Sequence, residues 1–145
     1  MSRQYPLALV CFVGAFQICS WAVGASTMLY LSGVDFRSDP EFWAARIQVI
    51  EYIRLALSCF AAFATGAYIV RMFVVVAAIV VFLVLPIWDF YTWHVHTEGF
   101  TVEYSYLEHL GASVGMWVGV IVATLFGLTT GAFIARKFGN NTNAV

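Results

Sequence analysis

Apolar residues run in four long blocks separated by short polar stretches. The first block, 5–31, is interrupted only by Gln17, Ser20 and small polar residues; the second covers 47–68 and the fourth 110–135. The third starts at Met72, runs to about Trp88 and extends on this reading to 93. Crossing a hydrocarbon core of ~30 Å takes about 20 apolar residues in a helix, so each block is long enough for one span. The expected fold is all-α: an integral membrane protein with four transmembrane helices in a small bundle, a single domain over residues 1–145.

Blocks two and three are joined by Ile69-Val70-Arg71-Met72-Phe73, which offers one charge and neither Gly nor Pro. One unbroken helix through both would be about 45 residues and nearly 70 Å long, so a tight helical hairpin at Arg71 is expected. Pro86 lacks an N–H and predicts a kink late in block three.

Composition agrees: 62% of residues are hydrophobic, 10% are charged, and mean hydropathy is +0.86. A soluble domain of this size could not hide that much apolar surface. The seven Lys and Arg are scattered, so there is no basic stripe for nucleic acid. Their placement predicts orientation. Arg3, Arg71, Arg136 and Lys137 fall on one side of four spans, which the positive-inside rule makes cytoplasmic, with both chain ends there. The opposite loops hold Asp35, Arg37, Asp39 and Glu41, then Asp89, Glu98, Glu103 and Glu108; they are expected to face a periplasmic, extracellular or intermembrane space. Val23-Gly24-Ala25 before Ser26 matches a leader cleavage pattern, but the apolar run is long and the expectation is an uncleaved span. Cys11, Cys19 and Cys59 lie within spans, without a CxxC pair, and read as small packing residues.

Block four carries the clearest pattern: Gly111, Gly115, Gly119, Ala123, Gly127, Gly131 and Ala135 recur every fourth residue. Lipid gives helices no hydrophobic drive to associate, so close backbone contact across small GxxxG-type residues supplies it. The stripe is expected to form a nearly continuous groove, either closing the bundle internally or docking another subunit. Residues 74–85 of block three are nearly all bulky and suit lipid or a larger neighbour.

Block two opens with charges. Glu51 and Arg54 are three apart and can pair on one helix face. Intramembrane charges are expensive and usually face a bundle interior or a cavity, so this pair is either structural or a substrate, headgroup or proton site. Upstream, Asp39 is expected to cap the helix, with Pro40 its first residue and Glu41 at the positive end. Phe42 and Trp43 suit the interfacial belt.

The second outer loop, 88–109, holds all three histidines and half of the acids. His94 and His96 are two apart: they point the same way if extended and diverge by about 200° if helical. Asp89 and His96 are seven apart and would share a helix face. Imidazoles with carboxylates suit copper, zinc or iron, so candidate ligands are His94, His96 and His109 with Asp89, Glu98 or Glu108. The plainer reading is an aromatic belt above a solvated loop. The order Asp89, Trp93-His94, Phe100-Thr101, His109 is similar to the Asp, His, His stretch of the C subunit of copper-dependent membrane monooxygenases for methane and ammonia. The similarity covers about 20 of the 145 residues, with different spacings in a much shorter chain. It implies Asp89, His94 and His109 as ligands.

Three functions follow as expectations. The first is an accessory or structural subunit of a larger membrane complex, with membrane lipid and other membrane subunits, or further copies of itself, as partners and no nucleic acid. The second is a metal-binding oxidoreductase subunit or metal carrier using the second outer loop. The third is a small transporter or channel using Glu51 and Arg54. No hydrolase triad or phosphate-binding glycine loop is present in the sequence, and a catalytic role for the chain alone is not expected.

Overall fold

The computed structural model describes residues 4–35, 39–70, 73–97 and 105–138. Their regular structure is helical throughout: α1 (Gln4–Leu31), α2 (Pro40–Ile69), α3 (Val74–Ile79), a π-helical turn over Val80–Val84, α4 (Leu85–Thr97) and α5 (Tyr106–Phe138). The segments from α3 to α4 follow one another directly. Four stretches are therefore long and apolar enough to cross a membrane: Gln4–Leu31, Ala45–Ile69, Val74–Val95 and Ser113–Phe138. They match the four sequence blocks within a few residues and are consistent with an integral membrane protein.

The helix starts follow from local chemistry. The Asp39 carboxylate accepts the Phe42 N–H at 3.1 Å, Pro40 sits in the first turn, and the Trp43 N–H bonds the Asp39 carbonyl at 3.2 Å. This is the cap expected from the sequence, and it begins α2 well before residue 47. At α5, the Ser105 hydroxyl accepts the Glu108 N–H at 3.3 Å. The Glu108 carboxylate accepts the Ser105 N–H at 2.9 Å and its hydroxyl at 3.0 Å. That reciprocal capping box satisfies donors the helix itself leaves open.

α2 ends at Val70, which is extended and donates its N–H to the Gly66 carbonyl. The Phe73 N–H then bonds the Val70 carbonyl at 3.1 Å, closing a tight turn. Arg71 itself lies outside the described residues. Gly66 makes the turn possible, because the Phe73 ring occupies the space a Cβ there would need. Further along, the Leu85 N–H reaches the Val80 carbonyl, the wide spacing of a π turn. It directly precedes Pro86, the position from which the sequence predicts a disturbed helix.

Neighbouring positions fix the helix directions. Tyr30 meets Arg46, Gly24 lies by Arg54, and Phe12 packs on Phe63, so α1 and α2 are antiparallel. Gly127 lies against Phe60 and Ala64, and Gly131 against Ala64 and Tyr68, so α5 runs parallel to α2. Phe73 sits by Gly66 and Trp88 shares a cavity with Tyr52 and Arg54, so α3 and α4 return antiparallel to α2. The core gathers near the α2–α3 turn. Phe12, Phe63 and Phe73 form a ring triad with centroids 5.0, 5.6 and 6.5 Å apart, surrounded by Ala8, Cys59, Ala67 and Val120. The three cysteines are free thiols.

The expected continuous groove on α5 is in fact two surfaces. A four-residue repeat gains about 40° per step against a 3.6-residue helix, or about 200° from Gly111 to Gly131. The buried seam instead follows Ser113, Val120, Thr124, Gly127, Gly131 and Ala135. Gly127 and Gly131 are closed against α2 backbone, whereas nothing lies within 4 Å of a Cβ placed on Gly111, Gly115 or Gly119. Ala123, between them, is half-buried.

Candidate functional site

The end of the bundle where α4 meets α5 carries the main polar constellation. Asp89 stands in the second turn of α4, and His109 and Tyr106 in the first turn of α5. The Ser105–Glu108 box starts α5 at the register that puts Tyr106 and His109, three apart, on one face. Asp89 Oδ1 lies 3.2 Å from His109 Nε2, and Asp89 Oδ2 accepts the Tyr106 hydroxyl at 3.3 Å. The pair is largely enclosed, with side-chain exposures of 13% for Asp89 and 28% for His109.

Aromatic rings wall the group. Tyr106 stacks on His109 with centroids 5.9 Å apart. Phe90 meets Tyr106 edge-on at 5.0 Å, and Trp93 meets it at 5.3 Å. His94 stacks on Phe90 at 6.3 Å. Burial pushes the Tyr106 pKa above the ordinary tyrosine value, and the charge and hydrogen bond of Asp89 push it further the same way. The phenol stays protonated and donates to the carboxylate. A carboxylate that orients an imidazole and accepts from a phenol can hold a proton, or supply two ligands to a cation.

The other expected ligands are arranged differently. α4 continues through Thr97, so positions 94 and 96 sit about 200° apart around its axis, the helical alternative of the two. The side chain of His96 and all of Glu98 lie outside what the structure describes. Glu108 is engaged in the capping box. Among the described residues no group of three His, Cys, Asp or Glu gathers around one point. Sequence reasoning missed Tyr106, although Ser105-x-x-Glu108 is a readable capping-box signal that would have placed it beside His109.

The second constellation is in α2. Arg54 Nη1 lies 3.1 Å from Glu51 Oε1, with the two side chains 37% and 48% exposed respectively. Arg54 is nine residues into the candidate span that starts at Ala45, about 14 Å along it. The pair faces α1, where Gly24 lies beside the guanidinium. It also lines a cavity of ≈ 360 Å³ shared with Ser20, Tyr52, Trp88 and Met116. The Gln48 amide donates to the Tyr52 hydroxyl on the same helix.

No protein-family model matches the chain, and neither does any curated protein or solved structure. The similarity to the monooxygenase C subunit therefore rests on its few residues alone.

Proposed function

We propose that the chain is a small polytopic subunit of a larger membrane complex, accessory or structural in role, docking a transmembrane helix of another subunit on the Gly111–Gly115–Gly119 face of α5. The observation that supports this reading is the division of the stripe. Gly127 and Gly131 are closed against α2, whereas a Cβ on Gly111, Gly115 or Gly119 would meet nothing within 4 Å. A bare glycine face costs helix propensity, and in lipid its use is close approach of another helix. In this reading the outer loops face a periplasmic, extracellular or intermembrane space. Both chain ends are cytoplasmic, following Arg3, Arg71, Arg136 and Lys137.

Native mass spectrometry of gently solubilised protein, with metal analysis on the same sample, tests it. Larger subunits should accompany the wild type and be lost from Gly115→Leu. A lone chain holding about one transition metal ion would overturn it.

One observation favours a second reading, a copper-, zinc- or iron-binding subunit or carrier. Asp89 and His109, twenty residues apart in sequence, converge at 3.2 Å. Two ligands need completing, and of the sequence candidates His94 and His96, about 200° apart on α4, at most one can join them. This reading requires stoichiometric metal that disappears in both His109→Ala and His94→Ala.

A further inference from the structure

A second feature lies along the α1–α2 seam: a lateral groove between the two helices. It measures ≈ 870 Å³, within the ~300–1,000 Å³ typical of small-ligand sites. Its floor is Ala22 and Val23 from α1 with Val49 and Ile50 from α2, and Tyr30 and Arg46 stand at its outer end. Small residues in both helices hollow it out. Two hydroxyls in its wall are already used: Ser26 donates to the Ala22 carbonyl and Thr27 to the Val23 carbonyl, both at 2.9 Å. The groove is therefore apolar along its length and cationic at one end.

Arg46 is held among aromatic side chains. Its Nη1 donates to the Tyr30 hydroxyl at 3.3 Å, and its guanidinium lies 4.5 Å over the Phe42 ring and 5.8 Å from that of Trp43. A planar guanidinium has five N–H donors in a fork that matches phosphate, and among the described residues a single hydroxyl bonds it, which leaves most of them for an anion. Arg46 is the second residue of the span that starts at Ala45, which sets it at headgroup depth, beside aromatic rings that favour the same depth.

We infer that this groove holds one anionic phospholipid, with an acyl chain along Ala22, Val23, Val49 and Ile50 and its phosphate on Arg46. The chain confers no selectivity, since a lipid tail is equally at home in the surrounding bilayer. Selection comes from the headgroup charge. The groove on the other face of the α1–α2 pair is the internal contrast: it is lined by Glu51 and Arg54 together, so its charges cancel and it has no reason to prefer an anion.

The test uses the full chain in nanodiscs of equal phosphatidylglycerol and phosphatidylcholine, followed by mild release and native mass spectrometry. One phosphatidylglycerol should be retained per chain, with a preference of about fivefold over phosphatidylcholine, since one basic side chain near an anionic headgroup is worth ~1 kcal/mol. Arg46→Gln should abolish the preference, and Arg136→Gln should not. Val49→Trp leaves the cation in place and fills the groove, so it should lose the retained lipid even if Arg46→Gln fails to fold. Equal retention of both lipids by the wild type, a preference that survives Arg46→Gln, or retention unchanged in Val49→Trp would each overturn the inference.

Discussion

Gly127 and Phe60 approach so closely that a Cβ on the glycine would stand 2.6 Å from the Phe60 carbonyl oxygen. The neighbour is backbone, so it cannot rotate aside, and α5 must move off α2. Gly127→Ala should therefore cost roughly 1–3 kcal/mol, as overpacking does elsewhere. Gly115→Ala meets open space and should gain a few tenths to about 1 kcal/mol from helix propensity. Thermal unfolding of the two variants in one detergent checks the contrast. Equal effects would mean that α5 does not seat on α2 through Gly127.

That contrast also shows what could be read from the sequence. Block lengths gave the four helices long and apolar enough to cross a membrane, because each block is continuous, and Asp39-Pro40 gave the start of α2, because capping is local. Of the candidate site, Asp89, His109 and the Glu51–Arg54 pair were named, and the structure brings each of these two pairs into contact. What stayed hidden depends on the relation between helices. Which end of the glycine stripe packs is decided by about 40° of drift per repeat and by where Phe60 and Ala64 of α2 fall. Tyr106 joins Asp89 only because α4 and α5 meet, and Gly66 matters only because the Phe73 ring turns back onto it.

Tyr106 should be the tyrosine whose ionisation reports on the α4–α5 junction. Its pKa is raised above 10.0 by burial first and by Asp89 second. A phenol with a raised folded pKa stabilises the fold fully below its unfolded value, and that contribution is lost as pH rises through the folded value. Stability should therefore fall more steeply in alkali for the wild type than for Tyr106→Phe. In tyrosinate absorbance, the wild type minus Tyr106→Phe difference should titrate above the ordinary value. Asp89→Asn should lower that midpoint part of the way, burial remaining. An unmoved midpoint would show that the Asp89 contact is absent.

Ser105→Ala removes one half of the capping box and should destabilise the start of α5 by about 1 kcal/mol. The effect should be local, because the rest of α5 is seated on α2. Amide hydrogen exchange should quicken at Glu108 and His109, whose N–H groups bond Ser105, and stay unchanged around Val120 and Thr124. Protection unchanged at Glu108 and His109 would show that the box contributes nothing to the start of α5.

The Glu51–Arg54 pair is half-open in the isolated bundle, and a pair that exposed in water is worth only ~0–1 kcal/mol. On the proposed topology a bilayer changes the comparison, because removing one partner strands the other charge near mid-depth, where its solvation is poor. Arg54→Gln and Glu51→Gln should each destabilise the protein in lipid, and the double substitution should be milder than the sum of the two. The expected coupling is about 0.5–3 kcal/mol, and it should shrink in detergent, where water reaches the cleft beside Gln17 and Ser20. Thermal unfolding of the four proteins in nanodiscs and in detergent measures both values. Additive effects in lipid would mean that Arg54 reaches the headgroups on its own and that the pair is not a unit.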